Sequence, residues 1–245
     1  VQSEKTPDGE YKLAQLVRAN QALAHYCLAY GVPCVSGKDS MKNDYTGGGT
    51  KISIPPTVLF SVMGVIPDCN KTMTSDFKRP DELVYVLGLT KNEMGGSEYA
   101  DALGVCGDVP QVDAVSARTR YERVYAAIQQ GLLTACHDIS DGGLAVALAE
   151  MALAGRTGAC VDVTATPSLD CSVEQILYSE SASRFVITVK SENKAAFEAL
   201  FARDFVGCIG KTTADEKLTL KATGTTLVSA SVEDLATSWK RTLDF

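Results

Sequence analysis

The stretch Thr134–Ala154, TACHDISDGGLAVALAEMALA, decides the fold class. Thr134–Ile139 reads as a strand. Ser140-Asp141-Gly142-Gly143 is a turn. Leu144–Ala154 follows as a helix whose only charge is Glu150, so most of its surface must be buried. The same alternation continues outward. Downstream, strands at Ala159–Val163 and Phe185–Val189 flank a helical patch near Val173–Leu177. A helix at Glu192–Arg203 leads to a strand at Phe205–Ile209. Two short strands (Lys217–Lys221 and Thr226–Ser229) and a helix near Val232–Arg241 close the chain. Upstream, Thr119–Leu133 reads as a helix, Gly95-Gly96 opens a short helical stretch, and the apolar run Leu83–Leu89 is a buried strand. This is a mixed α/β segment of domain size.

The segment before it is different. Residues 11–30 form a helix, with Leu13, Leu16, Val17, Ala24, Cys27 and Leu28 on one face and Gly31 and Pro33 as its stop. Val32–Ser36 and Thr57–Val65 read as strands, and Lys42–Lys51, with its three consecutive glycines, as a loop. One helix and two or three strands are thin for an independent core. The segment therefore reads as the later part of a domain whose front lies elsewhere. Pro67–Pro80, with two prolines and little periodicity, is the expected boundary.

The 245 residues are 45% hydrophobic and 22% charged, with a net charge of −7, which excludes disorder as the main state. That acidity argues against a broad nucleic-acid surface. No apolar run nears the roughly 20 residues that span a bilayer. The polar start lacks a signal-peptide core and an initiating Met, so the chain reads as trimmed or cut from something longer. Eight cysteines without a C-x-x-C, beside only two His, do not suggest zinc; reduced, buried thiols in a cytoplasmic protein are expected.

Three loops carry candidate chemistry. Ser36-Gly37-Lys38-Asp39-Ser40 ends a strand: Gly37 admits backbone amides to a ligand, Lys38 is a phosphate-binding cation, Ser40 offers a hydroxyl, and Asp39 can hold a metal or orient Lys38. A plain turn with a surface salt bridge explains the same residues. In His137–Leu144, Asp138 and Asp141 are hard oxygen ligands of the kind Mg²⁺ takes beside a phosphate, and Gly142-Gly143 open a helix N-terminus. The alternative is capping, with Ser140 or Asp141 satisfying the helix start. His137 reads as structural. In Ser179-Glu180-Ser181-Ala182-Ser183-Arg184, hydroxyls and an arginine precede a strand, which suits an anion; a polar turn with Arg184 paired to Glu180 is the alternative. Gly95-Gly96-Ser97-Glu98-Tyr99 is a lesser candidate and reads as a capped helix start.

The blocks GVPCVSGKDSMK, PPTVLFSVMGVIPD, GGSEYA, HDISDGGLAVALAEMALAG and SESASRFVITV occur in that order. Together they resemble the second half of the synthetase portion of the phosphoribosylformylglycinamidine (FGAM) synthase family, within the AIR synthetase superfamily. The resemblance runs from about Tyr11 to Arg241 and implies an α/β (α+β) fold. Residues 1–78 would be the later part of an AIR-synthetase N-terminal-type domain, and residues 79–245 a complete C-terminal-type domain. The implied reaction uses ATP and glutamine-derived ammonia to convert FGAR to FGAM in purine synthesis, through a phosphorylated amide oxygen. ATP or ADP and Mg²⁺ are the implied cofactors. The implied partners are the other half of the synthetase and a glutaminase domain or subunit.

Carried over by motif, Gly37 and Ser40 lie at the substrate and catalytic nucleotide site, with Lys38 or Asp39 near phosphate or metal. Asp138 binds Mg²⁺ at an auxiliary nucleotide site, Ser140 touches that nucleotide, Gly142 and Gly143 shape the turn, and Asp141 is a weaker extra ligand. Ser179, Glu180, Ser181 and Arg184 match a segment that contacts substrate in the family's other half. The family's catalytic His motif, its upstream Mg²⁺ ligands and a Cys-His-Glu glutaminase set are absent, so the chain alone is expected to be inactive. Exposed strand edges are expected to make it self-associate. Another ATP-dependent member of the superfamily, or a non-catalytic half holding a structural Mg²⁺–nucleotide, are the competing readings.

Overall fold

A computed structural model describes residues 9–38, 40 and 44–242. The chain divides into two compact units, Val1–Val65 and Ile66–Phe245.

In the first unit, helix α1 spans Gly9–Tyr30. Gly31 ends it at φ +67°, where a Cβ is strained. Strands β1 (Tyr45–Gly47) and β2 (Thr50–Ile52) form an antiparallel hairpin inside the expected loop. Gly48 and Gly49, at φ +56° and +78°, supply the two positive-φ positions that a tight hairpin turn needs. The strands expected at Val32–Ser36 and Thr57–Val65 are not formed. Their β-branched and apolar residues lie open: Val35 is 82% exposed, Leu59 89% and Val65 92%. Such residues make a strand only against a partner that satisfies the backbone and covers the side chains. These segments pair with no strand among the described residues. Among the described residues of this unit, only Gly9 is buried.

The second unit is built on a seven-stranded sheet ordered β4-β6-β3-β7-β5-β8-β9. Its strands are β3 (Leu83–Leu87), β4 (Leu133–Asp138), β5 (Gly158–Asp162), β6 (Phe185–Val189), β7 (Val206–Thr213), β8 (Lys217–Ala222) and β9 (Thr225–Ser231). All pairings are antiparallel except β5 with β8. The helices are α2 (Glu98–Leu103), α3 (Ala114–Gln129), α4 (Gly143–Gly155), α5 (Val173–Tyr178), α6 (Lys194–Leu200) and α7 (Val232–Arg241).

Two cores follow from the period of β3, whose successive side chains point to opposite faces. Leu83, Tyr85 and Leu87 pack with Val124 and Ala127 of α3 and with Phe197 and Phe201. Val84 and Val86 pack with Leu144, Leu148 and Met151 of α4, Ile176 and Leu177 of α5, and Val232. Helices thus cover both faces, which explains why β3 is buried at every position. The expected boundary stretch, Pro67–Pro80, joins this unit: Phe77 is buried in the second core and its N–H donates to the Met151 carbonyl at 3.1 Å.

Two helices are shifted from their expected ranges. Helix α3 begins before Thr119 because the Asp113 side chain accepts from the N–H groups of Val115 and Ser116. It stops at Gln130, before Gly131 at φ +66°. The helix expected at Glu192–Arg203 is a short 3₁₀ turn, Ser191–Asn193, followed by the shorter α6.

All eight cysteines are free thiols, and none is fully buried; Cys34, Cys69, Cys106 and Cys208 are exposed. Cys136 and Cys171 pack against the edges of the two cores and are half-buried.

Candidate functional site

The sheet brings three chain segments to one end. Strand β6 runs antiparallel to both β4 and β3, with Phe185 opposite Asp138 on one side and Leu87 on the other. The exit of β4 (Asp138–Gly142), the entrance to β6 (Ser179–Arg184) and the exit of β3 (Gly88–Glu93) are therefore neighbours.

Arg184 organises this end. Its side chain is 1% exposed and filled with contacts. Nε donates to the Ser181 carbonyl at 2.8 Å, Nη1 to the Thr90 hydroxyl at 2.9 Å, and Nη2 to the Ser179 carbonyl. Burial pushes the guanidinium down to about 10, still charged at neutral pH. Its hydrogen bonds go to carbonyls and a hydroxyl, not to Glu180 as the turn reading supposed. The Ser179 hydroxyl donates to the Lys91 carbonyl at 2.7 Å, and the Lys91 N–H donates to Ser181 Oγ at 3.0 Å. Ser179, Ser181 and Arg184 are thus buried and tie the β6 entrance to the β3 exit.

Glu180 points the other way. Its Oε1 accepts from the Gly142 N–H at 2.8 Å and from the Glu98 N–H at 2.9 Å. One carboxylate therefore sits at the N-termini of α4 and α2, where the helix dipole favours a negative charge. Helix α4 has no side-chain cap of its own. Neither Ser140 nor Asp141 does the capping. Ser97 caps α2 locally by accepting from the Ala100 N–H.

Ser140 and Asp141, free of capping, are exposed, as is Asp138. The Ser140 hydroxyl donates to Asp138 Oδ2, and His137 Nδ1 lies 3.1 Å from Asp138 Oδ1. The hydrogen bond from Ser140, with a smaller one from His137, holds the Asp138 carboxyl below the usual carboxylate range, so it is ionised at neutral pH. Its side chain is 63% exposed. Asp141 is exposed beside it. His137 also reaches Glu150 Oε2 at 2.8 Å through Nε2, so its ring is held between two carboxylates. Glu150 was read only as the lone charge of an apolar helix; that isolation was the available signal for it.

The glycines have steric reasons. Gly142 and Gly143 have φ +78° and +70°, and a Cβ on Gly143 would lie 2.7 Å from the Leu177 carbonyl oxygen. The first β-carbon would thus separate α4 from the end of α5.

Asp138, Asp141, Glu98 and Glu180 gather negative charge at this end, and the half-buried Lys91 is paired with Glu93 at 3.8 Å, so a phosphate would be repelled there without a counter-ion. A divalent cation resolves that repulsion. Among the described residues no group of three His, Cys, Asp or Glu gathers as a closed metal cage. Mg²⁺ usually takes one or two carboxylates and completes its shell with water and substrate phosphates. Asp138 and Asp141, both exposed carboxylates of one turn, are oxygen donors of the type such an ion takes.

The other predicted loop belongs to the first unit. Lys38 Nζ donates to Ser40 Oγ at 3.1 Å on an exposed stretch. A Cβ on Gly37 would meet nothing within 4 Å. Asp39 lies outside the described residues.

Residues 79–223 match the family profile of AIR synthase related proteins, C-terminal domain. The chain belongs to this family. The match covers six of the seven strands, β3 to β8, with the Arg184 network and the Asp138 turn, all within the second unit. Among solved structures, Thermotoga maritima PurL complexed with FGAR is similar at a TM-score of 0.61 and 18% identity, over 69% of this chain and 30% of that one. The same T. maritima protein complexed with ATP gives 0.58 and 18%, over 69% and 28%. Hydrogenase maturation protein HypE gives 0.50 and 17%, over 65% and 55%. At these identities the likeness is one of fold. The AIR-synthase-related chain spans about 30% of the length of the T. maritima structures it matches. No helix among its described residues is long and apolar enough to cross a membrane.

Proposed function

We propose that the Asp138–Gly143 turn holds a Mg²⁺–nucleotide, ATP or ADP. In this reading the chain is one part of an enzyme that converts FGAR to FGAM with ATP and glutamine-derived ammonia. One observation carries the nucleotide site. Glu180, contributed from the β6 entrance, satisfies the start of α4. Ser140 and Asp141 are thereby left free of capping, next to Asp138, which is exposed and ionised and accepts from the Ser140 hydroxyl. The family membership and the similar T. maritima structures, complexed with FGAR and with ATP, support the chemistry.

In this reading Asp138 and Asp141 supply oxygens to Mg²⁺, and Ser140 contacts the nucleotide. Gly142 and Gly143 keep backbone close to it. Glu180, Ser179, Ser181 and Arg184 position the turn without touching ligand. Mg²⁺, when bound, neutralises phosphate charge against the acidic rim. Gly37, Lys38, Asp39 and Ser40 serve the substrate side. A further synthetase half and a glutaminase domain or subunit complete the enzyme.

The test is a thermal melt with and without Mg²⁺–ADP, on the chain and on Asp138→Asn. Ligand at about 100 times its Kd adds roughly 2.7 kcal/mol. A stabilisation that needs Mg²⁺ and disappears in Asp138→Asn is expected. Equal stabilisation of both proteins would move the nucleotide away from this turn. The HypE likeness favours a second reading, a different ATP-using activity on the same fold. Stabilisation of the assembled enzyme by FGAR separates the two.

A further inference from the structure

Cys27 lies on the last turn of α1, and Cys34 follows the helix stop. Their sulfurs are 3.6 Å apart. The approach is built by the chain reversal at the helix end. The Val32 N–H donates back to the Cys27 carbonyl at 3.0 Å, and the Gly31 N–H to the Leu28 carbonyl at 3.3 Å. These are the paired bonds of a Schellman turn, with Gly31 in the left-handed region at φ +67°. Pro33 then keeps Val32 extended and sends the chain back along the helix. Cys34 is exposed and Cys27 half-buried. A disulfide needs its sulfurs about 2.05 Å apart, so closure takes roughly 1.5 Å of movement by side chains that no core restrains.

We propose that Cys27 and Cys34 are a dithiol that a hydroperoxide converts to a reversible disulfide. Cys34, the more exposed, reacts first. Its thiolate sulfur attacks one peroxide oxygen, the O–O bond breaks, and Cys34 becomes a sulfenic acid while the other oxygen leaves as water or an alcohol. The Cys27 sulfur then attacks the Cys34 sulfur; the S–S bond forms, the S–O bond breaks, and the departing hydroxide leaves as water with the Cys27 proton. Two thiols are oxidised and one peroxide is reduced. The hydrogen bond between the two sulfurs raises the Cys27 pKa. The bridge pins the segment Val32–Lys38 onto the end of α1. The inference is independent of the nucleotide site, which lies in the other unit.

The experiment treats the folded chain with hydrogen peroxide, blocks remaining thiols with iodoacetamide and digests with trypsin. Ala19–Lys38 emerges as one peptide carrying both cysteines. Expected is an unalkylated peptide, lighter by two hydrogen atoms and restored by dithiothreitol. The cysteines at 69, 106 and 208, exposed but single, remain alkylated. Cys34 labelling should drop at least ~10-fold relative to untreated protein. In Cys27→Ser, Cys34 should instead advance to sulfinic or sulfonic acid. If wild type and Cys27→Ser give the same over-oxidised Cys34, the pair is not a dithiol and the proposal falls. Equal bridging in denaturant would also overturn it, because nearness in sequence rather than the helix turn would then explain the product.

Discussion

The two units of this chain use apolar residues in opposite ways. In the second, β3 is buried at every position and helices cover both faces of the sheet. In the first, residues of the same chemical type lie open, among them Leu59, Val62, Met63 and Val65. Composition does not separate them. What separates them is whether the chain itself supplies the surface that covers them. Unpaired strand formers also present open backbone, the usual template for association. In the second unit helices cover both faces of β3, whereas among the described residues of the first nothing covers Leu59 to Val65.

The sharpest way to break this contrast is a matched pair of truncations. Phe197→Ala removes a fully buried ring packed against Tyr85 and Phe201 and should cost about 3–5 kcal/mol in chemical denaturation. Leu59→Ala removes an 89% exposed side chain and should change stability by under about 0.5 kcal/mol. A large loss at Leu59 would mean that its segment is covered after all, by association in solution. Measuring it over a range of protein concentrations distinguishes that case.

A smaller effect tests the two glycine loops that the sequence marked as alike. Gly143 has φ +70°, and a new Cβ would sit within 2.7–2.9 Å of the backbone of Leu177, Tyr178 and Ser179. Gly143→Ala should cost about 2–3 kcal/mol, from the left-handed backbone and the forced separation of α4 from α5. Gly37→Ala meets nothing and should be within about 0.5 kcal/mol. If Gly37→Ala leaves stability alone yet abolishes activity in the assembled enzyme, the glycine there serves a ligand and not the fold. Unchanged activity would remove Gly37 from the proposed substrate side.

Much of the second unit was legible because local signals and tertiary demand agree there. The run at Leu83, the turn before Leu144 and the apolar α4 each fall where their patterns place them. The strands at Val32–Ser36 and Thr57–Val65 were misread for one reason: β propensity reports a side chain suited to a sheet, not the presence of a neighbouring strand. The site was legible in part. Asp138 and Ser140 stand at the turn, but the freedom of Ser140 and Asp141 from capping is not visible locally. It depends on Glu180, 38 residues beyond Gly142 in sequence. Nothing local announces a helix cap supplied from the loop before a neighbouring strand. Nor could the pattern of hydroxyls show that Ser179, Ser181 and Arg184 are sealed inside.

The smallest effect sharpens the comparison through acid titration. Glu82 in the second unit is 2% exposed, and burial raises its carboxyl pKa above the ordinary 4.5 despite the hydrogen bond from Thr134. Its Oε1 has no hydrogen-bond partner. Asp44 in the first unit is lowered below 3.8, chiefly by Lys51 at 3.1 Å and further by Ser53. The signs are therefore opposite. A raised carboxyl contributes stability that is fully present below 4.5 and is lost as pH rises through its folded value. A lowered one contributes above 3.8 and loses that contribution as pH falls through its folded value. Glu82→Gln should stabilise the protein at neutral pH, by at most about 1 kcal/mol, because it removes a buried charge while keeping an acceptor for Thr134. The gain should shrink toward zero as pH falls below 4.5, where wild-type Glu82 carries its own proton. Asp44→Asn should show no such gain at neutral pH. Hydrogen exchange followed separately at β3 and at the β1–β2 hairpin reads both arms in one acid series. If Glu82→Gln instead destabilises the protein at neutral pH, then Arg79, 3.9 Å from Glu82 Oε1, offsets the burial, and this unit is held together by a charge pair as well as by its apolar layers.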